Sequence, residues 1–457
     1  MMGRKDDQLC MTIVNLEELI PENHLLKKID RTIDFNFIYD LAEPYYSEKG
    51  RPSIDPVCMI KMLLVGYLYG VRSERRLEEE ITLNIAYRWF CGFNIMDRIP
   101  DHSLFSQNRR RRFNDSRIFK EIFNEIVTCC IDNGIVTGDN VVSDGTFIPA
   151  NVSEKSKVET KVIVSQSTVN YLDELDKELS ELPGYRKPVT TEVEKIVLKS
   201  STEQDCGYIH QKRKKGLGYL AEMSVDTEHG IITGVDCYPA NQRESDIILK
   251  HVITQIKDTG ISINQIALDA GYDVGAVHRG FELLGITDYC CPREMHNNAL
   301  KKGFTYDAEN DSFLCMEGKR LNFYRITYKQ SNHNYYRLYR IPKKECLECK
   351  YLKHCAMDKG AVRINASVFY PAYHANRERC KTDEYFNLKR LRNIWSEGTF
   401  AALKNQHNLK RIKKRGIHRA AEECLLAALA LNLKRIAQVL FTFYRFWFFQ
   451  MDNFCIA

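Results

Sequence analysis

No charge-free apolar run in the chain approaches the roughly 20 residues that a membrane-spanning helix requires. The opening segment, Met1-Met-Gly-Arg-Lys-Asp-Asp7, has no apolar stretch of the kind a secretory signal needs. The aromatic run from Phe441 to Phe449 is short, is interrupted by Arg445, and reads as a packing tail rather than an anchor. No serine or cysteine stands out with a histidine base, so catalysis through a side-chain nucleophile is not indicated. Cysteine is not scarce, at 16, but a chain of 457 residues is far larger than disulfide-stapled scaffolds. The cysteines are expected to act mostly as small core hydrophobes in a reducing cytoplasm, with no membrane as partner.

The chain is too long for one typical domain, and an apolar share of 44% leaves ample material for a core. Net charge is a modest +6, so its distribution matters more than its sum. Basic residues gather at Lys212 to Lys215, at Arg109 to Arg112 and over the stretch 404–419. A solvated helix face accounts for any one such cluster, whereas three in one chain favour a polyanion, ordinarily nucleic acid.

Residues 1–130 read as an all-helical module. Its firmest element spans 55–69, where Asp55-Pro56 supplies an N-cap and a first-turn proline ahead of an apolar interior. An amphipathic helix over 73–90 and one opened by Asp101-His-Ser103 follow. The pattern changes at about 139. Strands are expected at 140–149, 218–225, 230–238, 265–269 and 287–291, with helices at 244–256 and 277–284 between them. This is an α/β order that builds a mixed sheet with helical cover, assigned to 131–294. A charged stretch within about 152–200 reads as an inserted exposed helix. Residues 295–380 are Tyr- and Cys-rich with no helical period, as in an insertion, and 381–457 return to helix as the end of the core.

Asp144 sits mid-strand in Val142-Ser-Asp-Gly145, where a charge is costly unless compensated. Asp269 repeats the setting, after Ile266-Ala-Leu268 and before Ala270-Gly271. A turn or N-cap aspartate is the ordinary reading of either one alone. The recurrence favours two carboxylates on neighbouring strands sharing a divalent cation, with small residues that let a ligand approach the backbone. Glu397 is the third candidate, on a helix whose face it shares with Phe400, Ala401 and Lys404. Three such carboxylates suit a two-metal site that activates one oxygen and steadies another.

The order strand-Asp, two strands, helix, strand-Asp, insertion, helix-Glu resembles the RNase H-like core of the DDE transposases of bacterial insertion sequences. Segments that carry the likeness are Arg51-Pro-Ser-Ile-Asp-Pro56, Arg72-Ser-Glu-Arg-Arg-Leu-Glu78, Pro100-Asp-His-Ser-Leu-Phe105, Asp144-Gly-Thr146, Leu268-Asp-Ala-Gly-Tyr272 and the stretch 397–435. The resemblance implies Asp144, Asp269 and Glu397 as catalytic ligands of Mg2+ or Mn2+, with Lys404 as the lysine that follows the glutamate. The tyrosine and arginine that often precede that glutamate are not matched: Arg390 and Asn393 stand there, with Arg392 adjacent, and no role is carried to these residues.

Lys404, Lys410, Arg411, Lys413, Lys414, Arg415 and Arg419 would lay positive charge along DNA next to the cut, positioning the duplex without reading it. Cys346-x2-Cys349-x5-Cys355, with Cys315 upstream, suits a structural Zn2+, with a redox pair or unliganded cysteines as the other readings. The implied activity is binding of transposon terminal repeats, cleavage, and transfer of the 3′-OH strand to target DNA. A homodimer would assemble in the synaptic complex, in the bacterial cytoplasm at the nucleoid. A metal-dependent nuclease without strand transfer and a transposase-derived DNA-binding regulator are the alternatives.

Overall fold

A computed structural model describes residues 15–454 except 48, 50–52, 114–116, 166–172, 187–191, 212–213, 294–302, 331–333 and 352–361. The chain forms two compact units, one from 1–126, 402–409 and 425–457, the other from 127–401 and 410–424. This division cuts across the sequential partition, because the final helix belongs from residue 425 onward with the N-terminal helices.

The first unit is helical: α1 Leu25–Thr32, α2 Phe37–Ala42, α3 Pro56–Leu68, α4 Glu74–Leu83, α5 Ile85–Phe90, α6 Ser103–Arg111 and the start of α7 Ile118–Asp132. The Asp55 carboxylate accepts the Cys58 N–H at 2.9 Å, and α3 buries residues on nearly every side, from Met59 to Val65. A continuous helix over 73–90 does not form. Asn84 breaks it by accepting the N–H groups of Ala86 and Tyr87 with its own side chain, the competition with backbone pairing to which asparagine is prone. Asn408 ties 402–409 to this unit by donating to the carbonyls of Gly66 and Val71 at 3.1 and 3.0 Å.

The second unit is built on a mixed sheet. Its strands are β1 Asn140–Pro149, β4 Gly207–Gln211, β5 Lys214–Asp226, β6 Ile232–Pro239, β7 Gln265–Leu268 and β8 Thr287–Cys290. The order is β6-β5-β1-β7-β8, with β4 also on β5. The β6-β5 and β5-β1 pairs are antiparallel, and the β1-β7 and β7-β8 pairs are parallel. Helix α9 Glu244–Thr259 links β6 to β7 and ends at Gly260, whose φ of 71° lets the chain turn off the helix. Three antiparallel strands followed by two parallel ones across a helical crossover give the RNase H-like arrangement.

Two segments differ from expectation. The charged stretch holds one short helix, α8 Asp173–Glu181, flanked by a hairpin of β2 Lys157–Ser165 with β3 Glu192–Ser200. The hairpin pairs Lys157 to Ser165 with Glu192 to Ser200 in an unbroken antiparallel register. The Tyr- and Cys-rich insertion is itself a five-stranded antiparallel sheet: β9 Thr305–Asp307, β10 Ser312–Leu314, β11 Arg320–Lys329, β12 Asn334–Arg340 and β13 Arg363–Ser367. It has its own core around Phe304, Phe313, Leu321, Tyr339, Ile364 and Tyr370.

The insertion gives way at α11 Tyr370–Arg379, ahead of the expected limit of 380. This helix docks on β8. Asn376 accepts the Cys290 N–H and donates to the Cys290 carbonyl, both at 3.0 Å, and Arg379 donates to the Asp288 carbonyl at 2.9 Å. Beneath it, fully buried His278 of α10 Gly275–Leu283 lies between Asp273 at 3.0 Å and Asp288 at 2.5 Å. Next come α12 Asp383–Arg392, a π-helical turn over Asn393–Glu397, α13 Gly398–Gln406 and the long α14 Ile417–Phe454. Among the described residues no helix is long and apolar enough to cross a membrane.

Candidate metal-ion site

Strands β1 and β7 run parallel in a register that pairs Val142 with Ala267. Continued by two residues, this register sets Asp144 level with Asp269 at the point where β7 gives way to a turn. Asp269 caps that turn by accepting the Gly271 N–H. Arg293 holds the turn from outside, donating to the carbonyls of Ala270 and Gly271, while its own N–H donates to Asp273 at 2.7 Å.

The Asp144 carboxyl is pushed up to about 7, first by burial and then by the Asp269 carboxylate. Arg392 works the other way, with Nη1 at 3.5 Å from Asp144 Oδ2, and Glu244 adds to the upward push. Two carboxylates that repel across adjoining strands in a largely buried setting are a fit for a divalent cation, which neutralises both. No three of the carboxylates at Asp144, Asp269, Glu244 and Glu397 come within 4.8 Å of one another among the described residues, so they are not drawn together into a closed single-ion cage.

Glu397 is exposed and ends the π-turn, which packs on β1. Trp395 fixes the turn by lying against Gly230 in the β5–β6 loop. A Cβ at Gly230 would fall 2.1 Å from the indole, and its φ of 73° suits glycine. Arg392, which directly precedes the π-turn, is the residue of this segment that reaches Asp144.

Two further groups behind Asp144 were not legible. Glu222 of β5 is fully buried and accepts from the hydroxyls of Tyr272 at 2.8 Å and Ser143 at 2.9 Å. Burial holds its carboxyl well above the ordinary range. Beyond it, Asp236, His251 and Ser224 join in triad order, at 2.6 Å and 2.9 Å, although no such arrangement stands out in the sequence. His251 and Ser224 are 0% exposed, so no substrate reaches the serine and the set is structural.

The basic stretch divides by use. Arg411 donates to the carbonyls of Ala150 and Val152 at 3.1 Å, Lys414 pairs with Glu422 at 2.6 Å, and Glu423 accepts the backbone N–H groups of Lys413 and Lys414. These bonds stitch 411–414 to the end of β1. Lys410, Lys413, Arg415 and Arg419 have exposed side chains, and Lys404 is half-buried in α13. Cys315, Cys346 and Cys349 line one small apolar cavity with Phe304 and Leu321, but their thiols do not converge on a common centre. Cys355 lies outside the described residues.

Fold and site together define an RNase H-like enzyme with a strand-borne aspartate pair. A transposase domain model (DUF772) matches residues 14–111, and a transposase DDE domain model matches 314–437, the segment that holds Glu397. The two matched segments are thus similar to those of transposases, and the second to the DDE domain of enzymes that act on DNA. No curated protein sequence matches it. Among solved structures, a piggyBac transposase synaptic complex with hairpin DNA is similar over 91% of this chain and 72% of that chain, at 9% identity and a TM-score of 0.36. The Mos1 mariner paired end complex with Mn is similar over 53% of this chain and 61% of that chain, at 9% identity and a TM-score of 0.17.

Proposed function

We propose that this transposase cuts DNA at its element's terminal repeats and joins the freed 3′-hydroxyl to target DNA, with Asp144, Asp269 and Glu397 as metal ligands. The observation that carries the reading is the delivery of Asp144 and Asp269, side by side, by adjacent parallel strands. Bound Mg2+ or Mn2+ supplies activation of the attacking oxygen and neutralisation of the leaving one. The chain's own residues do the rest. Arg392 steadies Asp144 and offers a guanidinium to the phosphate, and the Arg293 clamp fixes the Asp269 turn. Lys410, Lys413, Arg415 and Arg419 lay positive charge on the flanking duplex, with Lys404 as a further phosphate contact. Arg411 and Lys414 serve the fold first. Synapsis of two ends calls for two copies, so a homodimer is the working assembly, acting on DNA in the bacterial cytoplasm.

Purified protein, labelled DNA ending in the element's inverted repeats, a target plasmid and Mn2+ test the proposal. Labelled ends covalently joined to the plasmid are the expected product, and hydrolysed ends alone would retire strand transfer. A proton also competes with metal at Asp144. Mn2+ affinity, read by calorimetry, is therefore expected to be level above pH 7 and to fall about tenfold per unit as pH drops below it.

A further inference from the structure

We propose that the outer face of the insertion's sheet is a second DNA-contacting surface, on which Arg325, Arg340 and Arg363 hold phosphates of the backbone. The inference rests on the reading above of this chain as one that acts on DNA, and is independent of its metal ligands. Strands β11, β12 and β13 contain no aspartate or glutamate and carry Arg320, Arg325, Lys329, Arg337, Arg340 and Arg363. Alternation sorts these residues by face. Leu321, Tyr339 and Ile364 point inward to the insertion's core. Arg337 is buried on that side, paired with Asp311 and donating to the Val368 carbonyl at 2.6 Å. Asn322, Arg340 and Arg363 fall directly opposite one another on the other side, and all three are exposed. The irregularity between Phe323 and Arg325 adds Tyr324 to β11 and turns its ring to that same face. The Arg340 guanidinium lies 3.3 Å from the ring centroid, and that of Arg325 lies 5.5 Å from it.

Exposed arginine on a sheet is ordinarily explained by solubility or by ion pairs across strands. Arg320 fits that account, since it pairs with Asp307 at 3.0 Å. Arg325, Arg340 and Arg363 do not, because among the described residues no carboxylate pairs with any of them. Like charges set directly opposite, as Arg340 and Arg363 are, destabilise a sheet. An anion between them replaces that repulsion with attraction, and the guanidinium fork matches the paired oxygens of a phosphodiester. The occupant is the DNA backbone rather than an unpaired base, because Arg340 already covers a face of the Tyr324 ring. Contacts of this kind hold a duplex without reading its sequence.

Fluorescence anisotropy of a labelled random-sequence duplex tests the surface, with full-length protein titrated in EDTA over a series of salt concentrations. A triple variant combining Arg325→Gln, Arg340→Gln and Arg363→Gln is expected to bind about tenfold or more weakly near physiological salt. The slope of log affinity against log salt should fall by about one for each arginine that has lost a phosphate. A matching triple lysine variant is expected to recover that slope, since it restores the charges. Wild-type affinity and slope in the glutamine variant would overturn the inference. So would a loss of affinity at unchanged slope that lysine does not repair, which is the mark of a disturbed fold. If the glutamine variant binds like the wild type while neutralising Lys410, Lys413, Arg415 and Arg419 weakens binding, the earlier DNA reading stands without this face. If neither change weakens binding, both readings fall.

Discussion

Asp144→Asn is expected to lower strand transfer by at least about 10³-fold, equivalent to roughly 4 kcal/mol of activation barrier. The same change should raise the Tm of the metal-free protein at pH 8. The sign follows from the direction of the shift. The carboxyl is near 3.8 in an unfolded chain and about 7 in the fold, where burial and Asp269 penalise its charge. That penalty is absent below 3.8, grows with pH and is complete above about 7, so an amide removes it. Loss of activity with a gain in stability separates a metal ligand from a residue that merely holds the strand. A variant that joins DNA like the wild type would take Asp144 out of the site.

His278→Ala is expected to cost about 3 kcal/mol of stability, because it removes the cation that Asp273 and Asp288 share in the interior and leaves Asp288 with Arg379 alone and Asp273 with the Arg293 N–H and the Tyr373 hydroxyl. Burial works against charge on His278, but Asp288 and Asp273 outweigh it and hold the imidazole up at about 9, from 6.5. A raised pKa of this kind contributes its full stability below 6.5 and loses it as pH rises through about 9. Melting curves from pH 6 to 10 should therefore show the largest gap between wild type and variant at the acid end, closing toward the alkaline end. A gap independent of pH would mean that packing, not charge, is what the ring supplies. Activity should fall with stability, since Asp273 also accepts the Arg293 N–H, and Arg293 clamps the turn that carries Asp269.

Five strands of the core sheet were legible because β-branched residues in β1 and β6, glycine and proline at strand ends, and the matching apolar runs that carry both aspartates mark them, whereas the short β4 Gly207–Gln211 was not read. Glu397 was read on a helical stretch, and it stands there at the end of a π-turn. What escaped did so for identifiable reasons. The β2–β3 hairpin is two-stranded with Ile163 and Ile196 exposed, so no buried face marks its period. In the insertion, β11 carries an irregularity between Phe323 and Arg325 that breaks the alternation of its longest strand. Arg392 was named in the sequence but given no role, because its approach to Asp144 is a tertiary contact.

The docking of α11 on β8 bears on how copies of this chain can meet. An outer strand normally leaves a row of donors and acceptors available to any passing chain. Here the Asp288 carbonyl and both polar groups of Cys290 are taken by Arg379 and Asn376, side chains that stand in for an absent neighbouring strand. This margin is closed to β-augmentation, whether by a second copy or by a misfolded one. The pair of protomers proposed above would therefore meet on another surface, and this edge offers no template for cross-strand aggregation.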